Sequence, residues 1–312
     1  MNWIVWALII LAVNLVVFTW IVAWIIYSAL LRRRKPEKWA RRQSMPDDEE
    51  YIRLYDQALS WREENLSRKR DVEITNDGLR LVGEYYDFGS DRAVIIIPGR
   101  MESCYYSCHY AEPYRKAGFN VLTIDGRAHG ESEGKINSLG YLEYRDVLAW
   151  AMMLHDRENI RQVVLHGICI GSSTAVFAAA DEACPDYVTA IVADGLYQRF
   201  YDSCRNHMIN DHRPLFPFLA ETMFLIRVVS KADAVHDGPI FRIGRVTRPV
   251  LFLHSRADIF STPDKAQELY DRCPSEKKKI VWFDGAGHSR IRITHPEAYD
   301  QAILDYFSQL AN

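Results

Sequence analysis

Hydrophobic and polar positions divide this 312-residue chain into three regimes. Residues 1–31 contain no Asp, Glu, Lys or Arg. A run of about 29 mostly apolar residues, rising 1.5 Å each as a helix, exceeds the about 30 Å of a bilayer's hydrocarbon core. The pattern predicts one transmembrane helix, with Trp3 and Trp6 near one end and Trp24 and Tyr27 near the other, placed as aromatic belts. Asn14 is the strongly polar group near mid-span, expected to bond its own helix. Residues 32–71 form a second regime, a basic stretch followed by a connecting helix. In residues 43–68, Tyr51, Leu54, Tyr55, Leu59 and Trp61 recur at near-helical spacing.

The third regime, residues 72–312, reads as one α/β domain. Two strand candidates, Asp71 to Thr75 and Leu79 to Asp87, flank Asn76-Asp77-Gly78, residue types that tolerate the positive φ of a hairpin turn. From Ala93 onward, fully apolar runs alternate with helical segments, as in a parallel sheet buried on both faces. Strands are expected at Ala93 to Ile97, Asn120 to Ile124, Val163 to Ile168, Tyr187 to Ala193, Pro249 to Leu253 and Lys279 to Phe283. Helices are expected from Pro98-Gly99-Arg100 to about Lys116, and at Leu139 to Leu154, Pro263 to Arg272 and Pro296 to Leu310. Residues 198–245 interrupt the alternation with Phe200, Leu215, Phe216, Phe218, Leu219, Met223 and Phe224 among charges and three prolines. They predict a helical cap.

Charge refines this picture. Arg32, Arg33, Arg34, Lys35, Lys38, Arg41 and Arg42 stand against Glu37 alone just after the apolar run. By the positive-inside rule the N-terminus then lies outside and the domain in the cytoplasm, as a single-pass protein of the cell membrane. The same cations can hold anionic headgroups, so the lipid bilayer is an expected partner. The segment lacks the basic start and small-residue cleavage site of a signal peptide. The net charge of −3 argues against nucleic acid. Six cysteines show no disulfide spacing; Cys104 and Cys108, with His109 beside them, lack an evident fourth metal ligand and read as packing.

The chemistry gathers where strands end. Gly167-Ile168-Cys169-Ile170-Gly171 has the form Gly-x-nucleophile-x-Gly, a strand-turn-helix elbow that pushes Cys169 out above the sheet edge, where a helix N-terminus favours a thiolate. Asp258 follows the strand ending at Leu253-His254, and His288 follows the last strand in Asp284-Gly285-Ala286-Gly287-His288. Catalytic groups of open α/β sheets collect at that edge. Other assignments compete. Ser172 or Ser173 is an alternative nucleophile, although both point away from the edge. Asp194 is an alternative acid or a loop cap. His129 and His166 read as turn-stabilising, Asp284 as a turn residue, and Arg100 as a partner for an anionic substrate.

The order nucleophile, acid, histidine resembles the α/β-hydrolase superfamily over about residues 72–312. Asp125-Gly126-Arg127-Ala128-His129-Gly130-Glu131-Ser132 is similar to the Asp-x-Arg-Gly-His-Gly-x-Ser loop of membrane-anchored bacterial serine-aminopeptidase-like hydrolases, with Ala128 in place of a glycine. The resemblance implies Cys169 as nucleophile, His288 as general base then acid, Asp258 as its orienting partner, and backbone N–H groups of Ile170 and Arg100 as oxyanion donors. It implies cleavage of an ester, thioester or related acyl bond in a small acyl-bearing substrate, with no cofactor and no metal. Most relatives carry serine at the elbow, whereas dienelactone-hydrolase-like members use cysteine. Relatives also usually have His-Gly where Pro98-Gly99 stands. The competing class is a hydrolase-fold binding or scaffold protein without turnover.

Overall fold

The computed structural model describes residues 2–33, 48–100 and 102–311. Arg34, Lys35, Lys38, Arg41, Arg42 and the start of the expected 43–68 helix lie outside these residues.

Eight strands form one sheet in the order β1-β2-β4-β3-β5-β6-β7-β8. They are β1 (Lys69–Asn76), β2 (Leu79–Tyr86), β3 (Arg92–Ile97), β4 (Asn120–Ile124), β5 (Gln162–Ile168), β6 (Val188–Asp194), β7 (Val250–Ser255) and β8 (Lys278–Phe283). The β1/β2 and β2/β4 pairs are antiparallel and the others parallel. All eight coincide with the expected runs to within a few residues.

Burial on both faces explains why the inner strands read as unbroken apolar runs. Ala93, Ile95 and Ile97 of β3 enter one core while Val94 and Ile96 enter another. Val250 and Phe252 of β7 divide from Leu251 and Leu253 in the same way. The period of two is present in direction and absent in polarity.

The helices are α1 (Trp3–Leu31), α2 (Glu49–Glu64), α3 (Cys104–Ser107), α4 (Glu112–Lys116), α5 (Glu143–Glu158), α6 (Ile170–Ala180), α7 (Phe200–Asn210), α8 (Phe218–Val229), α9 (Pro239–Arg242), α10 (Pro263–Arg272), α11 (Ile291–Thr294) and α12 (Pro296–Ala311). α5 and α6 cover one face through Trp150, Ala151, Ala175 and Val176. α2, α4 and α12 cover the other through Trp61, Tyr114, Tyr299 and Phe307. The cap holds α7, α8 and α9. Its apolar side joins Ile170, Tyr197, Phe200, Met208 and Met223 in a cluster that also takes in Tyr27 and Leu31 of α1.

Two boundaries differ from expectation. The helix expected up to Lys116 is broken into α3, a 3-10 turn at Cys108–Tyr110, and α4. Pro113 has no N–H to continue a helix from the preceding turn and sits instead in the first turn of α4. The helix expected from Leu139 begins at Glu143, because Leu139 (φ 61°) and Gly140 (φ 97°) form a left-handed turn. The Glu143 carboxylate accepts the Ser138 and Gly140 N–H groups of that turn at 2.7 and 2.8 Å.

α1 is, among the described residues, the helix long and apolar enough to cross a membrane. Asn14 donates to the Ile10 carbonyl at 2.8 Å, within its own helix. Of the basic stretch, Arg32 lies over the Trp24 ring at 5.4 Å, and Arg33 donates to the Gly130 carbonyl at 2.8 Å and to that of Ser132. The Arg33 guanidinium is therefore engaged by the fold.

Candidate active site

The β5–α6 turn is forced by how closely three backbones approach. A Cβ on Gly167 would stand 2.2 Å from the carbonyl carbon and oxygen of Gly171 and 2.3 Å from the Ser172 nitrogen; one on Gly171 would stand 2.2 Å from the Ile97 oxygen at the end of β3. Glycine at both positions lets α6 start directly over the sheet. Between them Cys169 adopts φ 54° and ψ −110°, a strained conformation for a residue with a side chain. The turn is held by its own backbone: Cys169 N–H donates to the Asp194 carbonyl at 2.9 Å, and Ser172 N–H to the Cys169 carbonyl at 3.0 Å. Cys169 is half-buried, while the other five cysteines are buried.

Asp258 and His288 arrive on loops after β7 and β8. His288 Nδ1 donates to Asp258 Oδ2 at 2.6 Å. Asp258 Oδ1 accepts the N–H groups of Phe260 and Ser261 at 2.8 and 2.9 Å, which fixes the carboxylate. Burial raises the Asp258 pKa, but His288 and these donors outweigh it and hold the carboxyl below its ordinary range. For His288 burial acts downward, and Cys169 followed by Asp258 outweighs it, so the imidazole stands well above its usual value. Its Nδ1 is taken by the carboxylate, and its buried Nε2 has no hydrogen-bond partner, which leaves that nitrogen free toward the cavity it shares with Cys169. Because both groups raise it, the His288 pKa should fall in Cys169→Ala and fall again on adding Asp258→Asn, as read by NMR titration of the imidazole. An unchanged value in either step would contradict the arrangement.

Cys169, His288 and Arg100 line one cavity of about 720 Å³ with Gly99, His207 and Phe260. Ile170 is the first residue of α6, so its N–H is among those lacking an intrahelical acceptor.

Residues 92–224 match the family described as alpha/beta hydrolase fold. The chain has the α/β-hydrolase fold. Among solved structures, the esterase Pf2001 of Pyrococcus furiosus superposes with a TM-score of 0.65 at 24% identity, covering 79% of this chain and 93% of that one. Among curated proteins, the uncharacterized protein YqkD of Bacillus subtilis is 25% identical over 70% of this chain and 71% of its own length. The uncharacterized membrane protein YNL320W of Saccharomyces cerevisiae is 22% identical over 69% and 72%.

The remaining candidates fall elsewhere in the fold. The Ser172 hydroxyl lies 2.5 Å from the Gly167 carbonyl and 2.8 Å from that of Asp194, beneath the elbow, and Ser173 is buried. Asp194 Oδ2 accepts the Tyr299 hydroxyl at 2.8 Å, and burial pushes its pKa up to about 7. His166 Nε2 lies 3.1 Å from the same hydroxyl. His129 Nδ1 lies 3.0 Å from the Arg127 carbonyl, and burial pushes its pKa down to about 4. Asp284 is exposed, 3.6 Å from Arg256. The Asp125-to-Ser132 loop is a framework: Asp125 accepts the Cys104 and Glu131 N–H groups at 2.8 Å, and Arg127 pairs with Asp146 at 2.6 Å. Ala128 has φ 63°, which accounts for the glycine preferred there in the resembling loop.

Two walls of this cavity carried no functional signal in the sequence. One is α2, capped by Asp48, whose carboxylate accepts the Glu50 and Tyr51 N–H groups. Tyr51 donates to buried Glu102, which also accepts the Gly99 N–H at 2.8 Å. Burial raises the Glu102 pKa. Arg290, two residues beyond His288, pairs with Glu50 at 2.5 Å and with Asp48. The other wall is His207 of the cap, stacked on Phe260 with centroids 3.4 Å apart, its pKa pushed down to about 4 by burial.

Proposed function

We propose that this α/β-hydrolase is a membrane-anchored acyl hydrolase that cleaves an ester, thioester or related acyl bond through a cysteine acyl-enzyme. The observation that carries the reading is the His288–Asp258 pair beside a cysteine held at positive φ on the elbow. Cys169 Sγ attacks the acyl carbonyl as His288 Nε2 takes the thiol proton. The N–H groups of Ile170 and Arg100 receive the oxyanion. His288 then passes its proton to the departing alcohol or thiol. In the second half it draws a proton from water, which adds to the thioester and releases the acid with the thiol restored. Asp258 holds the imidazole tautomer and balances its charge. Each step uses only groups of this chain and water.

The esterase Pf2001 supports the reaction class, and the membrane protein YNL320W supports anchoring. α1 crosses the bilayer in this reading. The cations from Arg32 to Arg42 keep the domain in the cytoplasm.

Iodoacetamide labelling of the full chain, mapped by peptide mass, tests the nucleophile. Cys169 should react much faster than the five buried cysteines and slow at least about tenfold in His288→Ala, since the imidazole promotes thiolate reactivity. Labelling of Cys169 no faster than the others would overturn the proposal.

A further inference from the structure

The C-terminal half of α1 packs against the cap along one side and stays exposed on the other. Thr19, Ala23, Tyr27 and Leu31 form a buried stripe at every fourth position. Thr19 donates to Glu221 Oε1 at 2.8 Å, Trp20 meets Phe224 edge-to-face at 5.5 Å, and the Tyr27 hydroxyl lies 3.0 Å from Ser230 Oγ. These contacts advance together along both helices, so α8 runs parallel to α1. The apolar surface of α1 stays exposed through this contact zone, with Ile21 53% and Ile25 60% exposed, so lipid that meets α1 there also meets Phe224 beside Trp20.

The outer surface of α8 suits that environment. Phe224 and Val228 are 53% and 58% exposed, and Phe216, just before the helix, is 87% exposed. Of the two charges on α8, Glu221 meets Thr19 of α1, and Arg227 lies near the C-terminal end, 3.6 Å from Asp233. Amphipathic helices bury an apolar face about 5–10 Å into the headgroup and acyl boundary.

We propose that α8 is a second membrane element, its Phe216, Phe224 and Val228 surface embedded in the cytoplasmic leaflet beside α1. The inference rests on the anchor reading above. It makes the cap that covers Ile170, next to Cys169, the part of the domain seated on lipid. The occupant is the bilayer, continuous with the surface that α1 presents to it.

The test uses the full chain carrying Cys169→Ala in phosphatidylcholine/phosphatidylglycerol nanodiscs. Single nitroxide labels are placed at Phe224→Cys and Val228→Cys, with Val13→Cys on α1 and Gln301→Cys on α12 as references. Power saturation then compares accessibility to oxygen, which partitions into lipid, with accessibility to a water-soluble nickel chelate. The ratio at positions 224 and 228 should resemble that at 13 and exceed that at 301 several-fold. A ratio at 224 and 228 equal to that at 301, with 13 still lipid-like, overturns the proposal and leaves the anchor standing. A water-like ratio at 13 as well overturns the anchor reading and this inference with it. All four label sites are exposed, so the labels project from the folded surface.

Discussion

Cys169→Ala should lower kcat/KM for esters and thioesters on the order of 10⁴-fold or more, with the fold intact. The change removes only Sγ, and alanine meets the positive φ no worse than cysteine does. Stability should therefore move little, while the group that forms the acyl-enzyme is gone. Losses of this size follow removal of a nucleophile whose base and oxyanion donors act with it as a unit. Cys169→Ser should fall between wild type and Cys169→Ala, because relatives run the same steps with serine at the elbow. The measurement is an ester and thioester panel on the three proteins, with circular dichroism melts run in parallel. Full activity in Cys169→Ala would remove Cys169 from the mechanism. A wild type inert to the whole panel, labelling at Cys169 no faster than at the buried cysteines, would favour the scaffold class.

The largest stability effect is expected at Gly167. An alanine Cβ there would stand 2.2 Å from Gly171 backbone atoms and 2.3 Å from the Ser172 nitrogen. Backbone on both sides cannot move aside as a side-chain tip can, because Gly171 is itself seated against the Ile97 carbonyl. Relief would require α6 to lift from the sheet, opening the core around Ala175 and Val176. Gly167→Ala should cost about 4 kcal/mol or more, enough to leave little folded protein. Gly244→Ala is the control: a Cβ added at that position meets nothing within 4 Å, and its effect should stay within about 0.5 kcal/mol. Urea melts of both variants decide this, and a Gly167→Ala melt close to wild type would refute the packing account.

Features that leave a local trace in the chain were legible from the chain alone. The strands were legible because burial on both faces demands continuous apolar runs, and β3 and β7 obey this residue by residue. The elbow was legible because two glycines and a nucleophile must be spaced as they are for the turn to close. Asp258 and His288 stood out as the acid and histidine at successive strand ends. Their 2.6 Å approach across 30 residues of chain is a product of the parallel sheet, which brings its strand ends to one edge.

Other features had half a signal. The near-helical spacing of Tyr51, Leu54 and Tyr55 announced an amphipathic α2 without saying what its face would meet. That Tyr51 would reach Glu102, 51 residues away, and that Arg290 would reach Asp48, 242 residues away, depends on how the layers stack. The His207–Phe260 stack joins a cap helix to a loop after β7 in the same manner. Apolar periodicity shows that a face will be buried and is silent about its partner.

α1 shows the division most sharply. Its composition alone predicts a helix and its length, because thirty-one residues without a charged side chain leave few other stable arrangements. Nothing in that run of Trp, Ile, Val and Leu separates the part free to meet lipid from the part that meets protein. Thr19 and Tyr27 of the buried stripe meet α8 and its C-cap, the latter through a contact 203 residues apart in the chain, while the Leu31 carbonyl accepts the Asn137 N–H of a different segment. Hydrophobicity is non-directional, so sequence can prescribe burial of a surface. Which surface covers it follows from shape and hydrogen bonding between segments that meet only in the folded chain.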